Sequence, residues 1–156
     1  MTTRLAIGQQ APAFRLTDST GKEVALADFA GRNVVVYFYP KAATPGCTTE
    51  ACDFRDSLDG LKAAGYEVVG ISPDAPAQLA AFAGDHALSY PLLADTDHEV
   101  ARRWGAWGEK EINGRTVRGV LRSTIVLDGT GKVSVAEYNV AADGHVAGLR
   151  TRLERN

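Results

Sequence analysis

Residues 33–52 read Asn33-Val34-Val35-Val36-Tyr37-Phe38-Tyr39-Pro40-Lys41-Ala42-Ala43-Thr44-Pro45-Gly46-Cys47-Thr48-Thr49-Glu50-Ala51-Cys52. The first seven are a β-branched and aromatic run without polar alternation, the composition of a strand buried on both faces of a parallel sheet. Thr44-Pro45 marks a helix start. Threonine is a favoured N-cap, and proline is tolerated at N1, where an N–H would have no partner anyway. That register places Cys47 at N3, in the first turn. Ala51, Phe54, Leu58 and Leu61 continue the helix at spacings of three and four, with Arg55, Asp56, Asp59 and Lys62 between them. Gly65 is the expected residue just past its end. Glu67-Val68-Val69-Gly70-Ile71-Ser72 predicts a second buried strand, so the stretch is a right-handed βαβ unit.

On the N-terminal side, Phe14-Arg15-Leu16 and Val24-Ala25-Leu26 flank Asp18-Ser19-Thr20-Gly21 and predict a small hairpin. On the C-terminal side, apolar spacing predicts helices over Ala77–His86 and Asp97–Trp104. Asn113-Gly114 between Glu111-Ile112 and Thr116-Val117 is a two-residue hairpin signal. Ser123–Leu127 and Lys132–Ala136 flank Asp128-Gly129-Thr130-Gly131 as a longer antiparallel hairpin. Val146, Leu149 and Leu153 form the stripe of a last helix. The order βαβ, helices, ββα predicts an α/β thioredoxin-like sandwich, with a mixed central sheet flanked by helices and an N-terminal hairpin. The expectation is one domain over residues 1–156.

Seventeen Lys and Arg against 19 Asp and Glu give a formal charge of −2, which excludes a domain that binds nucleic acid through a basic field. No apolar run is long enough for a membrane span, and residues 1–10 lack the apolar core of a signal peptide, so a cytoplasmic location is expected. Two cysteines cannot form the disulfide framework of a small secreted domain. In a reducing cytosol such a close pair is either inert or redox-active.

A cysteine on an apolar helix face is ordinarily a packed, inert residue. The Thr-Pro-Gly-Cys turn after a buried strand shifts the reading toward a nucleophile. There, unpaired backbone N–H groups and the helix dipole favour a thiolate. Complete ionisation of an ordinary thiol gains only about 30-fold at neutral pH, so an enzyme must also orient and polarise the electrophile. Candidate donors are the Thr44 hydroxyl, the N–H groups of Gly46 and Cys47, and Arg122, which opens a predicted core strand. The two cysteines with His86, His98 and His145 show no zinc spacing, so no metal is expected. His86 reads as a core-edge residue, Trp104 and Trp107 as core or pocket rim, and Arg118, Arg150, Arg152 and Arg155 as solvated.

Cys52 is the more diagnostic residue. A thioredoxin-type C-x-x-C would need cysteine at position 50, which is Glu50. Five helical residues separate Cα atoms by about 8.6 Å; a disulfide needs less than ~7 Å. If Cys47 and Cys52 bond, the first turns of the helix must unwind, making the segment a two-state element.

Tyr37 through Cys52 closely resembles the active-site segment of the peroxiredoxins, in particular the bacterioferritin-comigratory-protein (PrxQ) subfamily. Pro40, Thr44 and Cys47 meet the pattern P-x₃-T-x₂-C, Glu50 matches, and Arg122-Ser123-Thr124 is similar to the family's arginine strand. The likeness runs from Gly8-Gln9-Gln10-Ala11-Pro12-Ala13-Phe14 to the C-terminal helix. It implies that Cys47 is the peroxidatic cysteine, attacking hydrogen peroxide or an alkyl hydroperoxide and becoming a sulfenic acid. Thr44, Gly46 and Arg122 would bind and orient the peroxide, Pro40 would shield the sulfenate, and Glu50 would give structural support. Cys52 would resolve the sulfenic acid as an intramolecular disulfide that thioredoxin reduces. No cofactor is implied, and a monomer is expected. Two other readings stay open: a thiol–disulfide oxidoreductase, and a redox-sensing binding module that uses the same helix switch.

Overall fold

The computed structural model describes residues 4–154; Arg155 lies outside them. In chain order the elements are β1 (Arg15–Asp18), β2 (Glu23–Ala25), a 3₁₀ turn (Leu26–Phe29), β3 (Asn33–Phe38), α1 (Pro45–Ala63), β4 (Tyr66–Ser72), α2 (Pro76–His86), β5 (Leu92–Ala94), α3 (Glu99–Arg103), β6 (Trp107–Ile112), β7 (Arg115–Val120), β8 (Ser123–Leu127), β9 (Val133–Glu137) and α4 (His145–Glu154). Seven strands form one mixed sheet in the order β2-β1-β5-β4-β3-β8-β9, and β6 and β7 form a separate hairpin. β3 and β4 run parallel, with Val35 opposite Val68, as the βαβ reading requires. The thioredoxin-like sandwich expected from the sequence is the fold observed.

β3 is the hinge of the packing. Its side chains alternate between faces. Val35, Tyr37 and Tyr39 enter a core layer with Cys47, Ala51, Phe54, Leu58 and Leu61 of α1 and with Val146, Leu149 and Leu153 of α4. Val34, Val36 and Phe38 enter the opposite layer around Trp104, which is fully buried. Gly70 of β4 sits under the Tyr37 ring: a Cβ there would lie 2.9 Å from Tyr37 Cζ, so only glycine lets the ring lie flat.

Several boundaries differ from the sequence reading, each for a local reason. β5 was not expected. It is three residues long, too short for a periodic signal, yet it bridges the N-terminal hairpin to the sheet, antiparallel to β1 and parallel to β4. That pairing carries β1 on to Asp18. The second hairpin strand stops at Ala25, where Asp28 accepts the Ala25 N–H and a 3₁₀ turn begins. α3 is shorter than Asp97–Trp104. The buried Asp95 carboxylate accepts the N–H groups of Val100 and Ala101, and His98 takes a left-handed conformation (φ 62°) just before the helix. The Asn113-Gly114 turn has positive φ at both residues, as a tight hairpin requires.

Both ends of the seven-stranded sheet are short of free backbone. β2 has three residues. Along the start of β9, Gly8 donates to the Val133 carbonyl, Val133 donates to Gln9, and Gln10 bridges Lys132.

Candidate active site

The chain leaves β3 through a loop, Tyr39 to Ala43, that leads into α1. Tyr39 still donates its N–H to Ile71. The half-buried Pro40 follows. The loop is fastened at Ala42, whose N–H donates to Asp74 Oδ2 at 2.7 Å; the Ser72 hydroxyl donates to the same oxygen at 2.8 Å. Asp74 is buried and stands just past the carboxyl end of β4, where open α/β sheets place their sites. The sequence reading passed over it, although Ser72-Pro73-Asp74 at that strand end was the available signal.

Thr44 is the N-cap of α1 in an extended conformation, followed by Pro45, so Cys47 stands at N3 as read from the sequence. The Thr44 hydroxyl does not cap the helix. It donates to the Lys41 carbonyl at 2.7 Å, closing the loop on itself, while the Thr44 carbonyl accepts the Thr48 N–H. The first-turn N–H groups are thus not taken up by the Thr44 side chain.

Arg122, in the short link between β7 and β8, reaches the same turn. Its Nη2 lies 3.3 Å from Cys47 Sγ, and its Nη1 donates to Glu50 Oε1 at 2.7 Å. Gly46 makes room for this: a Cβ there would stand 3.1 Å from Arg122 Nη2. Cys47 is 1% exposed. Its sulfur is therefore roofed by a guanidinium rather than by hydrocarbon alone.

Glu50 is fully buried. Burial pushes its carboxyl up to about 7, against the pull of Arg122. Its second oxygen, Oε2, has no hydrogen-bond partner among the described residues. Arg122 is held above its ordinary value: burial opposes its charge, but Glu50 and Cys47 outweigh burial. Lys110 of β6 adds a second, half-buried cation, donating to the Val120 carbonyl at 2.9 Å. Burial lowers its pKa, partly offset by Cys47. Nothing in the spacing of the sequence brings β6 here.

Cys52 is half-buried, five residues along the unbroken α1, and both thiols are free. Beside it the Ala51 carbonyl accepts the Tyr90 hydroxyl at 2.9 Å, and the Tyr37 and Tyr90 hydroxyls are 2.7 Å apart. The sequence placed Tyr37 in a strand and did not single out Tyr90.

The remaining residues fall as follows. His86 sits at the core edge against Phe82. Trp107 is partly buried against the layer around Trp104, with Arg102 over its ring at 4.6 Å. Arg118 is exposed. Arg152 is exposed and pairs with Glu137, whereas Arg150 is only partly solvated, pairing with Glu154 and lying over Gly60 of α1. His145 Nε2 is 2.7 Å from the Thr124 hydroxyl. Among the described residues no three or more His, Cys, Asp or Glu are grouped to hold a metal, and no helix is long and apolar enough to cross a membrane.

Comparison with known proteins shows the family and the fold. Residues 7–136 match the AhpC/TSA family. The chain is 59% identical over 152 residues to a candidate peroxiredoxin of Mycobacterium tuberculosis, covering 97% of each chain. It is 49% identical over 129 residues to peroxiredoxin Bcp of Escherichia coli, covering 83% of each. Among solved structures it superimposes on the bacterioferritin comigratory protein of Xanthomonas campestris, described for its alkyl peroxide reduction activity. The TM-score is 0.85 at 34% identity, covering 91% of this chain and 90% of that one.

Proposed function

The chain belongs to the AhpC/TSA family of peroxiredoxins, and is a peroxidase, and we propose that Cys47 is its reacting group toward hydrogen peroxide and alkyl hydroperoxides. The observation that carries this reading is the Arg122 guanidinium 3.3 Å from a sulfur in the first turn of α1. A guanidinium and free first-turn N–H groups are preorganised donors for the negative charge that moves from sulfur to oxygen as the peroxide breaks.

In the first step the Cys47 thiolate attacks one peroxide oxygen. An S–O bond forms, the O–O bond breaks, and the departing alkoxide or hydroxide leaves as alcohol or water after taking a proton. Cys47 becomes a sulfenic acid. Thr44, the Gly46 and Cys47 N–H groups and Arg122 hold the peroxide, and Pro40 shields the product from water. Glu50 holds the second guanidinium nitrogen, so Arg122 cannot turn away from the sulfur. In the second step the Cys52 thiol attacks the sulfenic sulfur, water leaves, and an intramolecular disulfide closes. Because α1 is intact with both thiols free, its first turns must open for this step.

Thioredoxin is the proposed reductant, since an unwound segment presents the disulfide to an attacking dithiol. The proposed enzyme is a single-domain monomer of the cytoplasm, where close cysteine pairs stay reduced until they react. Stopped-flow tryptophan fluorescence with hydrogen peroxide and thioredoxin tests the scheme. Cys47→Ser is expected to consume no peroxide. Cys52→Ser is expected to complete one turnover and then stall. Peroxide consumption that persists in Cys47→Ser refutes the assignment.

A further inference from the structure

The helix that has to open is held at two places. Arg122 grips its first turn through Cys47 and Glu50, a contact that the chemistry itself alters when the sulfur is oxidised. The second hold lies between the two cysteines and does not depend on the redox state of either. Tyr90 stands between α2 and β5 and is 4% exposed. Its hydroxyl donates to the Ala51 carbonyl at 2.9 Å. Having one proton to give, Tyr90 must accept from the Tyr37 hydroxyl at 2.7 Å. The direction of the chain is therefore fixed: Tyr37 to Tyr90 to Ala51. Burial keeps both phenols protonated, so the donor is present at every physiological pH. Tyr37 is itself clamped by its stack on Phe54 at 4.5 Å. The Ala51 carbonyl already has a partner in the helix, so this bond is an extra tie, not the satisfaction of an orphan.

We propose that Tyr90 is a positioning residue that latches α1 at Ala51, sets how often the Cys47–Cys52 segment opens, and so decides how the sulfenic acid is shared between disulfide formation and overoxidation. This rests on Cys52 being the resolving residue. Two steps compete for the same sulfenic acid. In one, the Cys52 thiol attacks Cys47 S–OH, the S–S bond forms, the S–O bond breaks, and water carries off the hydroxyl and the thiol proton. In the other, a second peroxide molecule oxidises the sulfenic acid to sulfinic acid and leaves as water or alcohol. The first needs the helix open; the second needs it closed long enough for peroxide to enter again.

The test uses the full chain, reduced and then mixed with graded hydrogen peroxide. Disulfide and sulfinic acid are counted by intact mass, and sulfenate formation is followed by stopped flow. In Tyr90→Phe the disulfide is expected to close about two- to tenfold faster, the change one buried neutral hydrogen bond corresponds to. The peroxide dose that gives half sulfinic acid should rise by the same factor, and the rate of sulfenate formation should stay as in the wild type. Tyr37→Phe keeps the Tyr90–Ala51 bond and is expected to resolve within about twofold of the wild type. The double variant leaves no buried hydroxyl without an acceptor. It serves if Tyr90→Phe is unstable, with the same expectation. Resolution that is unchanged or slower without the Tyr90 hydroxyl overturns the latch. A wild type that accumulates sulfinic acid and never forms the disulfide overturns the role of Cys52, and the latch with it.

Discussion

Glu50→Gln isolates the buried carboxyl beneath Arg122. Glu50 is fully buried and its carboxyl is raised from 4.5 to about 7. The folded protein therefore binds a proton there that the unfolded chain has given up between those two values. The raised value means that folding is favoured by this group at low pH and loses that support as pH climbs from about 4.5 through 7. Each pH unit of separation is worth about 1.4 kcal/mol, so the loss is about 2 kcal/mol by pH 6 and about 3 kcal/mol by pH 8. Glutamine keeps a carbonyl oxygen for Arg122 Nη1, now 2.7 Å from Glu50 Oε1, but cannot ionise. Urea unfolding of both reduced proteins at half-unit steps from pH 4.5 to 8 is expected to give curves that meet at the acid end. They should then separate, with Glu50→Gln the more stable by about 3 kcal/mol at pH 8. Parallel curves, or a wild type that gains on the variant as pH rises, would refute the reasoning. The variant should also react more slowly with peroxide, because a neutral amide holds the guanidinium less firmly than a carboxylate.

Arg122→Ala removes both contacts at once. The second-order rate with hydrogen peroxide is expected to fall about 100-fold, as when a preorganised donor is lost. Stability at pH 8 should fall by about 3 kcal/mol as Glu50 loses its partner, and by less at pH 5, where Glu50 can take up a proton; a peroxide rate within threefold of wild type, read by stopped flow, would count against Arg122 as the polarising group. Asp74→Ala strips the Ala42 N–H of its acceptor, with an expected cost of about 2 kcal/mol in urea unfolding. Hydrogen exchange at the Ala42 amide should change from protected to fast, and an amide that stays protected would show that the loop does not depend on Asp74.

The sequence foretold most of what lies on one continuous stretch. The Thr44-Pro45 start, Cys47 at N3 and the stripe from Ala51 to Leu61 are local properties of α1, and local spacing fixes them. Arg122 was reachable because a residue opening a core strand can only be near one end of the sheet. What escaped was set by contacts across the chain. Lys110 comes from a hairpin whose orientation no periodicity encodes. Asp74 acts through a single carboxylate on a backbone N–H. Tyr90 meets Ala51 across 39 residues and Tyr37 across 53. The Thr44 hydroxyl misled for the opposite reason. Its propensity as a cap is real and Thr44 does stand at the N-cap, yet its oxygen accepts no first-turn N–H, while its proton goes to the Lys41 carbonyl.

The blunted margins of the central sheet bear on how such an enzyme survives its own cycle. If Cys52 closes the disulfide as proposed, the first turns of α1 open at each turnover and part of the interior is bared many times over. Bared interior beside a long, open strand is how chains polymerise into fibres. Here β2 offers three residues to a would-be neighbour, and the opening of β9 is already occupied by residues 8–10. Repeated melting can then remain a private event within one molecule, even where many copies are crowded together.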